Sequence, residues 1–324
     1  MIKITSALPL AVLAFCLHAA SAQAQLVRTC VSMAKGSDAN SSSFCHCTTP
    51  CRTFATAAAN TLADGEITVL DPGDYGGMMI TRSLSINNDS GGEASITVSG
   101  GTTGIIVNAP AGGYVNLRGL TIQGVGFGGS TGLDFGSGLF LTITNCVIRN
   151  HTAQGILFRP SGSATLVMAD SLVADNGGTG IDATGSAGGT KRLVLDRVRI
   201  VNNSGTGLNV AGGSFAGGSY TATISDSVAA NNGSVGFNGN TGASGSPVNL
   251  MIVRSVAANN NIGVRAIGGS SGPAVTLRIS ESTITGNATG WAQGTTGIVR
   301  SYADNLIDGN GDAPEPTPTA ITKK

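Results

Sequence analysis

Between residues 140 and 310 the hydrophobic positions fall in short alternating runs, separated by Gly, Asn, Ser and Asp. Residues 196–210, DRVRIVNNSGTGLNV, show the unit. Val198 and Ile200 alternate, a polar turn follows, and Leu208 and Val210 alternate again. Just ahead, Leu193 and Leu195 make a third alternating pair. A period near two predicts strands with one buried face, whereas a helix needs apolar positions three or four apart. The unit recurs as DSLVADNGGTGIDA at 170–183 and as DSVAANNGSVGFNG at 226–239.

Aligned on their acidic starts, the copies share a frame. The first position is Asn145, Asp170, Asp196, Asp226, Arg254, Glu281 and Asp304. About six residues on come His151, Asn176, Asn202, Asn232, Asn260, Asn287 and Asn310, spaced by 25, 26, 30, 28, 27 and 23 residues. A Gly-hydrophobic pair follows, from Gly155-Ile156 to Gly290-Trp291. Periods of this length mark solenoids and arrays, and a propeller blade would need about 40 residues. Three strands per turn of about 25 residues predict an all-β fold: a single-stranded right-handed parallel β-helix of nine or ten coils. Such a chain climbs about 4.8 Å per coil, so equivalent residues stack. Stacked Asn side chains are then expected to hydrogen-bond along the axis and to tolerate left-handed turns.

Composition adds the setting. Of 324 residues 49 are Gly and 11% are charged, with 18 basic and 18 acidic residues and zero formal net charge. That balance argues against a nucleic-acid partner or a polybasic membrane anchor. The start, MIKITSALPLAVLAFCLHAASAQAQ, reads as a signal peptide over 1–24, cut before Gln25. Its apolar run is too short to span a bilayer, so no membrane insertion is expected after cleavage. The protein is expected to be secreted or periplasmic. In an oxidising compartment Cys30, Cys45, Cys47 and Cys51 are expected to form two disulfides, with three possible connectivities, leaving Cys146 free. A zinc knot at Cys45-His46-Cys47 is the rival reading of the same cluster. Residues 25–64 read as a disulfide-rich cap whose helix places Phe54, Ala58 and Leu62 on one face. The β-helix is expected over 65–310, and 311–324 reads as a mobile Pro/Thr-rich tail.

The segments PCRTFATAAAN, GEITVLDPGDYGG and ITRSLSI, with the TGLNV and GIDAT repeats, resemble the pectin-lyase-like superfamily across roughly residues 28 to 310. That superfamily holds polysaccharide lyases, glycoside hydrolases, tailspikes and adhesins, so the resemblance implies fold more than function. Its polygalacturonase-like members carry Asn-Thr-Asp, Asp-Asp, Gly-His-Gly and Arg-Ile-Lys, and none of these occurs here. Its pectate-lyase-like members gather acids for calcium beside an arginine base, and the sequence shows no such gathering. No metal or cofactor is therefore expected, and a polysaccharide is the candidate partner.

The resemblance implies chemistry on the outward face of the strand after the Gly-hydrophobic turn. Alternation puts Asp134, Leu157, Asp182, Asn209, Asn238, Arg265 and Ala292 there, with Arg159 two residues past Leu157. As a catalytic set, Asp134 and Asp182 would be acid and base with Arg159 as charge partner, and Asn209, Asn238 and Arg265 would bind substrate. Two coils separate the acids by about 9–10 Å. Inverting glycosidases hold their carboxyls about 6.5–9.5 Å apart. The leading expectation is nevertheless a structural or glycan-contacting exported protein, with a lyase or hydrolase of acidic polysaccharide as the alternative.

Overall fold

The computed structural model describes residues 26–89, 91–124, 128–185, 188–214, 216–312 and 317–323. The expected signal peptide lies outside the described residues. Each coil contributes one strand to each of three parallel sheets, as in Gly189–Asp196 (sheet 1), Arg199–Val201 (sheet 2) and Leu208–Ala211 (sheet 3). Among the described residues the sheets have twelve, ten and nine strands, which agrees with nine or ten coils. Successive coils pair in register, so one residue type repeats up the axis. Leu141, Leu166, Leu193, Ala222, Leu250 and Leu277 form one inward row of sheet 1. Ile148, Val173, Ile200, Ala229 and Ala257 do the same in sheet 2. All are buried, and burial of these rows is the main stabilising term of the fold. Trp291 extends the inward row of sheet 3 beyond Val264 and packs against the core.

Two sharp turns per coil shape the triangle. Between sheets 1 and 2 a left-handed residue recurs at Asn145, Asp170, Arg197, Asp226, Arg254 and Glu281, with φ between 44 and 52°. Between sheets 2 and 3 the left-handed residue is Asn150, Asp175, Asn202, Asn231 and Asn259, and then Gly286. The residue after each of these points inward. The buried ladder is therefore His151, Asn176, Asn203, Asn232, Asn260, Asn287 and Asn310. Two expectations shift by one residue here: Asn203 replaces Asn202 in the ladder, and Arg197 replaces Asp196 at the first turn.

The ladder is polarised. Asn176, Asn203, Asn232, Asn260 and Asn287 each donate Nδ2–H to the Oδ1 of the next asparagine at 2.8–3.0 Å. The same Oδ1 atoms also accept from backbone N–H groups of the preceding coil. The glycine four residues on has a steric reason. A Cβ on Gly207 would lie 2.7 Å from the Gly236 carbonyl and 2.9 Å from Asn232 Nδ2, so a side chain would separate the coils.

Both ends carry structure beyond the regular coils. Disulfides join Cys30 to Cys47 and Cys45 to Cys51, which settles the connectivity and leaves Cys146 free and buried. Helix Phe54–Asn60 covers the first coil, with Thr53 capping it by accepting from Thr56 N–H at 3.2 Å. Leu62 does not share its buried face. The helix stops at Asn60, where Asn60 Nδ2 and Thr61 Oγ1 donate back to the Thr56 and Ala57 carbonyls. Leu62 then lies exposed in the strand Thr61–Val69. The C-terminal segment is also docked: Thr319–Ala320 pairs with Arg300 and Ser301 as the last strand of sheet 1. Among the described residues no helix is long and apolar enough to cross a membrane.

Candidate functional site

Sheet 3 carries its outward row as alternation predicts. Asp134, Leu157, Asp182, Asn209, Asn238, Arg265 and Ala292 are consecutive register partners. Arg159 reaches back one coil and grips Asp134 with two parallel bonds, Nε to Oδ1 at 2.9 Å and Nη2 to Oδ2 at 2.5 Å. That bidentate pairing occupies both carboxylate oxygens. Leu157 stands between the two acids. Asp182 is different: burial pushes its carboxyl up, and the hydrogen bond from Asn209 partly offsets this. A raised carboxyl suits a general acid. Beyond it the side chains satisfy one another. Asn209 Nδ2 donates to Asp182 at 2.8 Å, Asn238 Nδ2 to Asn209 at 2.7 Å, and Arg265 Nε to Asn238 at 2.8 Å. Asn240 adds a second donor to Asn209, and Asn238 is only 2% exposed. This row is a zipper between coils, running from the Asp182 carboxyl to the Arg265 guanidinium.

The outer face of sheet 1 is built differently. One row runs Tyr114, Phe140, Thr165, Arg192, Thr221, Asn249 and Thr276. The neighbouring row runs Asn116, Thr142, Val167, Val194, Thr223, Met251, Arg278 and Arg300. Tyr114 and Phe140 stack with centroids 5.3 Å apart, and Tyr114 is 49% exposed. From Tyr114 to the last Arg row is seven coil steps, about 34 Å. Among the described residues no carboxylate comes within ion-pair distance of Arg192, Arg278 or Arg300. An aromatic platform and guanidiniums without carboxylate partners, on a strip that mixes Thr and Asn with Val167, Val194 and Met251, can contact a long, hydroxyl-rich or acidic ligand.

The sequence matches the family described as "Right handed beta helix region" at residues 75–192 and 136–311, well over half the chain. The chain belongs to the right-handed β-helix family. Among solved structures this β-helix protein is similar to pectate lyase Pel9A, at 16% identity and a TM-score of 0.62, over 92% of this chain and 81% of that one. It is also similar to the A-module of the Azotobacter vinelandii mannuronan C-5 epimerase AlgE4, at 16% identity and a TM-score of 0.46, over 80% and 91% of the two chains. A search of curated proteins gives no significant match.

The sheet 1 strip was not visible in the sequence of this β-helix protein, although the signal existed. Tyr114 and Phe140 are 26 residues apart, one coil, and Arg278 and Arg300 are 22 apart. Register alignment of the strand before the first turn, rather than the strand after the second, brings them together.

Proposed function

We propose that this is an exported β-helix protein that contacts an extended polysaccharide along the outer face of sheet 1 and holds it without cleaving it. The observation that carries this reading is the contrast between two faces. The sheet 3 row spends its polar groups on one another, whereas Tyr114, Phe140, Arg192, Arg278 and Arg300 stand on sheet 1 with no carboxylate partner among the described residues. Export is supported by the leader sequence and by the two disulfides, which persist in oxidising compartments. A lyase or hydrolase of acidic polysaccharide is the second reading, favoured by the raised Asp182 carboxyl and by the fold shared with a pectate lyase.

A glycan array and a polysaccharide turnover assay on the mature chain separate the two. Binding without product formation is expected. Tyr114→Ala and Arg192→Ser should each weaken binding by about 1 kcal/mol while the protein stays folded, with the melting temperature lowered by no more than about 2–4 °C where the Tyr114–Phe140 stack is lost. Binding that ignores both variants would remove sheet 1 from the reading.

A further inference from the structure

The C-terminal tail folds back beside the last coils of sheet 1 and borders a groove of about 750 Å³. Thr276, Arg278, Arg300 and Tyr302 line it from the sheet side, and Ile321 and Lys323 from the tail. Ligand pockets commonly have this size. Arg278 and Arg300 are register partners on neighbouring strands, so their backbones lie about 4.8 Å apart. Like charges placed directly opposite across a strand pair repel. Three other arginines of the coils each sit on a carboxylate one coil away: Arg159 on Asp134, Arg197 on Asp170, Arg254 on Asp226. Among the described residues this is the one in-register pair of arginines.

Neither guanidinium is neutralised by the acids nearby. Asp304 and Glu281 are engaged by Lys323, at 2.7 and 3.4 Å, and so anchor the tail. Among the described residues Arg278 has a single weak hydrogen bond, Nη1 to Asn249 Oδ1 at 3.5 Å. Both arginines are half-buried, which strengthens their field at the groove relative to open solvent. Two guanidiniums on neighbouring strands, with Thr276 and Tyr302 lining the same groove, supply the charge and the hydrogen-bond donors that an oxyanion needs.

The geometry points to an anion site at the tail junction, in which Arg278 and Arg300 together grip a carboxylate or sulfate group. That group comes either from an acidic saccharide or from a free anion. The saccharide source rests on the polysaccharide-contacting reading above, whereas the free-anion source does not, so the two fail separately.

The test uses the full mature chain. Inorganic sulfate, a uronic-acid trimer and a neutral trisaccharide are titrated by calorimetry at constant ionic strength. Sulfate or the uronate should bind, and the neutral sugar should not compete. Arg278→Gln with Arg300→Gln should weaken that binding at least about tenfold. Lys323→Gln, which loosens the tail, should weaken it by only about two- to threefold. Unchanged circular dichroism and melting show that the variants are folded. No binding of either anion at millimolar concentration, or equal binding by the double variant, overturns the proposal. Sulfate binding without uronate binding keeps the anion site, assigns it to a free anion and removes support for saccharide contact at this end.

Discussion

Asn202 and Asn203 sit side by side and face opposite ways. Asn202 takes the left-handed conformation at φ 58° and reaches outward to Asp175, while Asn203 is 1% exposed and carries the buried ladder. Tandem asparagines recur at 231–232 and 259–260 because both positions favour the same residue for different reasons. Counting forward from Asp196 therefore lands one residue short, whereas counting four back from Gly207 lands on Asn203. Asn203→Ala should cost about 1–3 kcal/mol in urea unfolding by stranding buried partners. Asn202→Gly, which keeps the left-handed backbone, should stay within about 0.5 kcal/mol. Equal costs would mean the two roles are misassigned. At the ladder's N-terminal end His151 replaces asparagine, with Nε2 3.3 Å from the Ile122 carbonyl and Nδ1 buried without a partner. Burial pushes this imidazole down from 6.5 to about 4. The folded state thus binds the proton later than the unfolded chain. Its contribution is complete above pH 6.5, is lost as pH falls towards 4, and amounts to about 3 kcal/mol at most. His151→Asn should flatten that part of the stability profile between pH 7 and 4, and a profile identical to the wild type would refute the assignment.

At the scale of elements the ends behave unlike the coils. A coil is held by neighbours above and below, but the first coil has none above, and a small cap must replace them. The cysteine cluster announced a cap in the sequence, and the capping helix was legible from its Ala-rich run. Its end was not, because the Asn60 and Thr61 side chains that turn the chain act through backbone carbonyls that periodicity does not register. Asp71 ties the cap to the first coil, accepting from Met33 N–H at 2.6 Å and from the Tyr75 hydroxyl at 2.7 Å. Replacing all four bridged cysteines by serine should therefore cost about 2–5 kcal/mol and expose the top of the core. Cys146→Ser should cost less than about 1 kcal/mol. Its position is filled by Ser171, Ser227, Ser255 and Ser282 in other coils, whose hydroxyls accept a backbone N–H from the coil before. Loss of cooperativity in Cys146→Ser alone would show that the thiol has a role this ladder does not explain.

Across the whole molecule, regular stacking decides what can act as a site. Any outward residue has a neighbour about 4.8 Å above and below, so side chains on one row meet each other before they meet a ligand. On sheet 3 that geometry consumes the acids: Asp134 is paired with Arg159, and Asp182 begins a hydrogen-bonded run ending at Arg265. Strand alternation made the row legible in sequence, yet it could not show that its members satisfy one another, because each bond joins residues 25 to 29 apart. On sheet 1 the same stacking leaves threonines mixed with Arg192, Asn249, Val167, Val194 and Met251 between the aromatic pair and the last two arginines, and none of these arginines is paired to a carboxylate among the described residues. Asp134→Asn and Asp182→Asn therefore make the deciding pair of variants. A catalytic acid–base pair would lose at least about a hundredfold in turnover on either change. With the sheet 1 reading, the wild type releases no product from uronate or neutral polysaccharides, and both variants bind glycan as the wild type does. Asp134→Asn should loosen Arg159 and lower stability by about 1 kcal/mol, since the pair is only partly buried. Reproducible depolymerisation by the wild type, abolished by Asp182→Asn in a protein of unchanged melting temperature, would move the chemistry to sheet 3 and make the lyase or hydrolase reading the correct one.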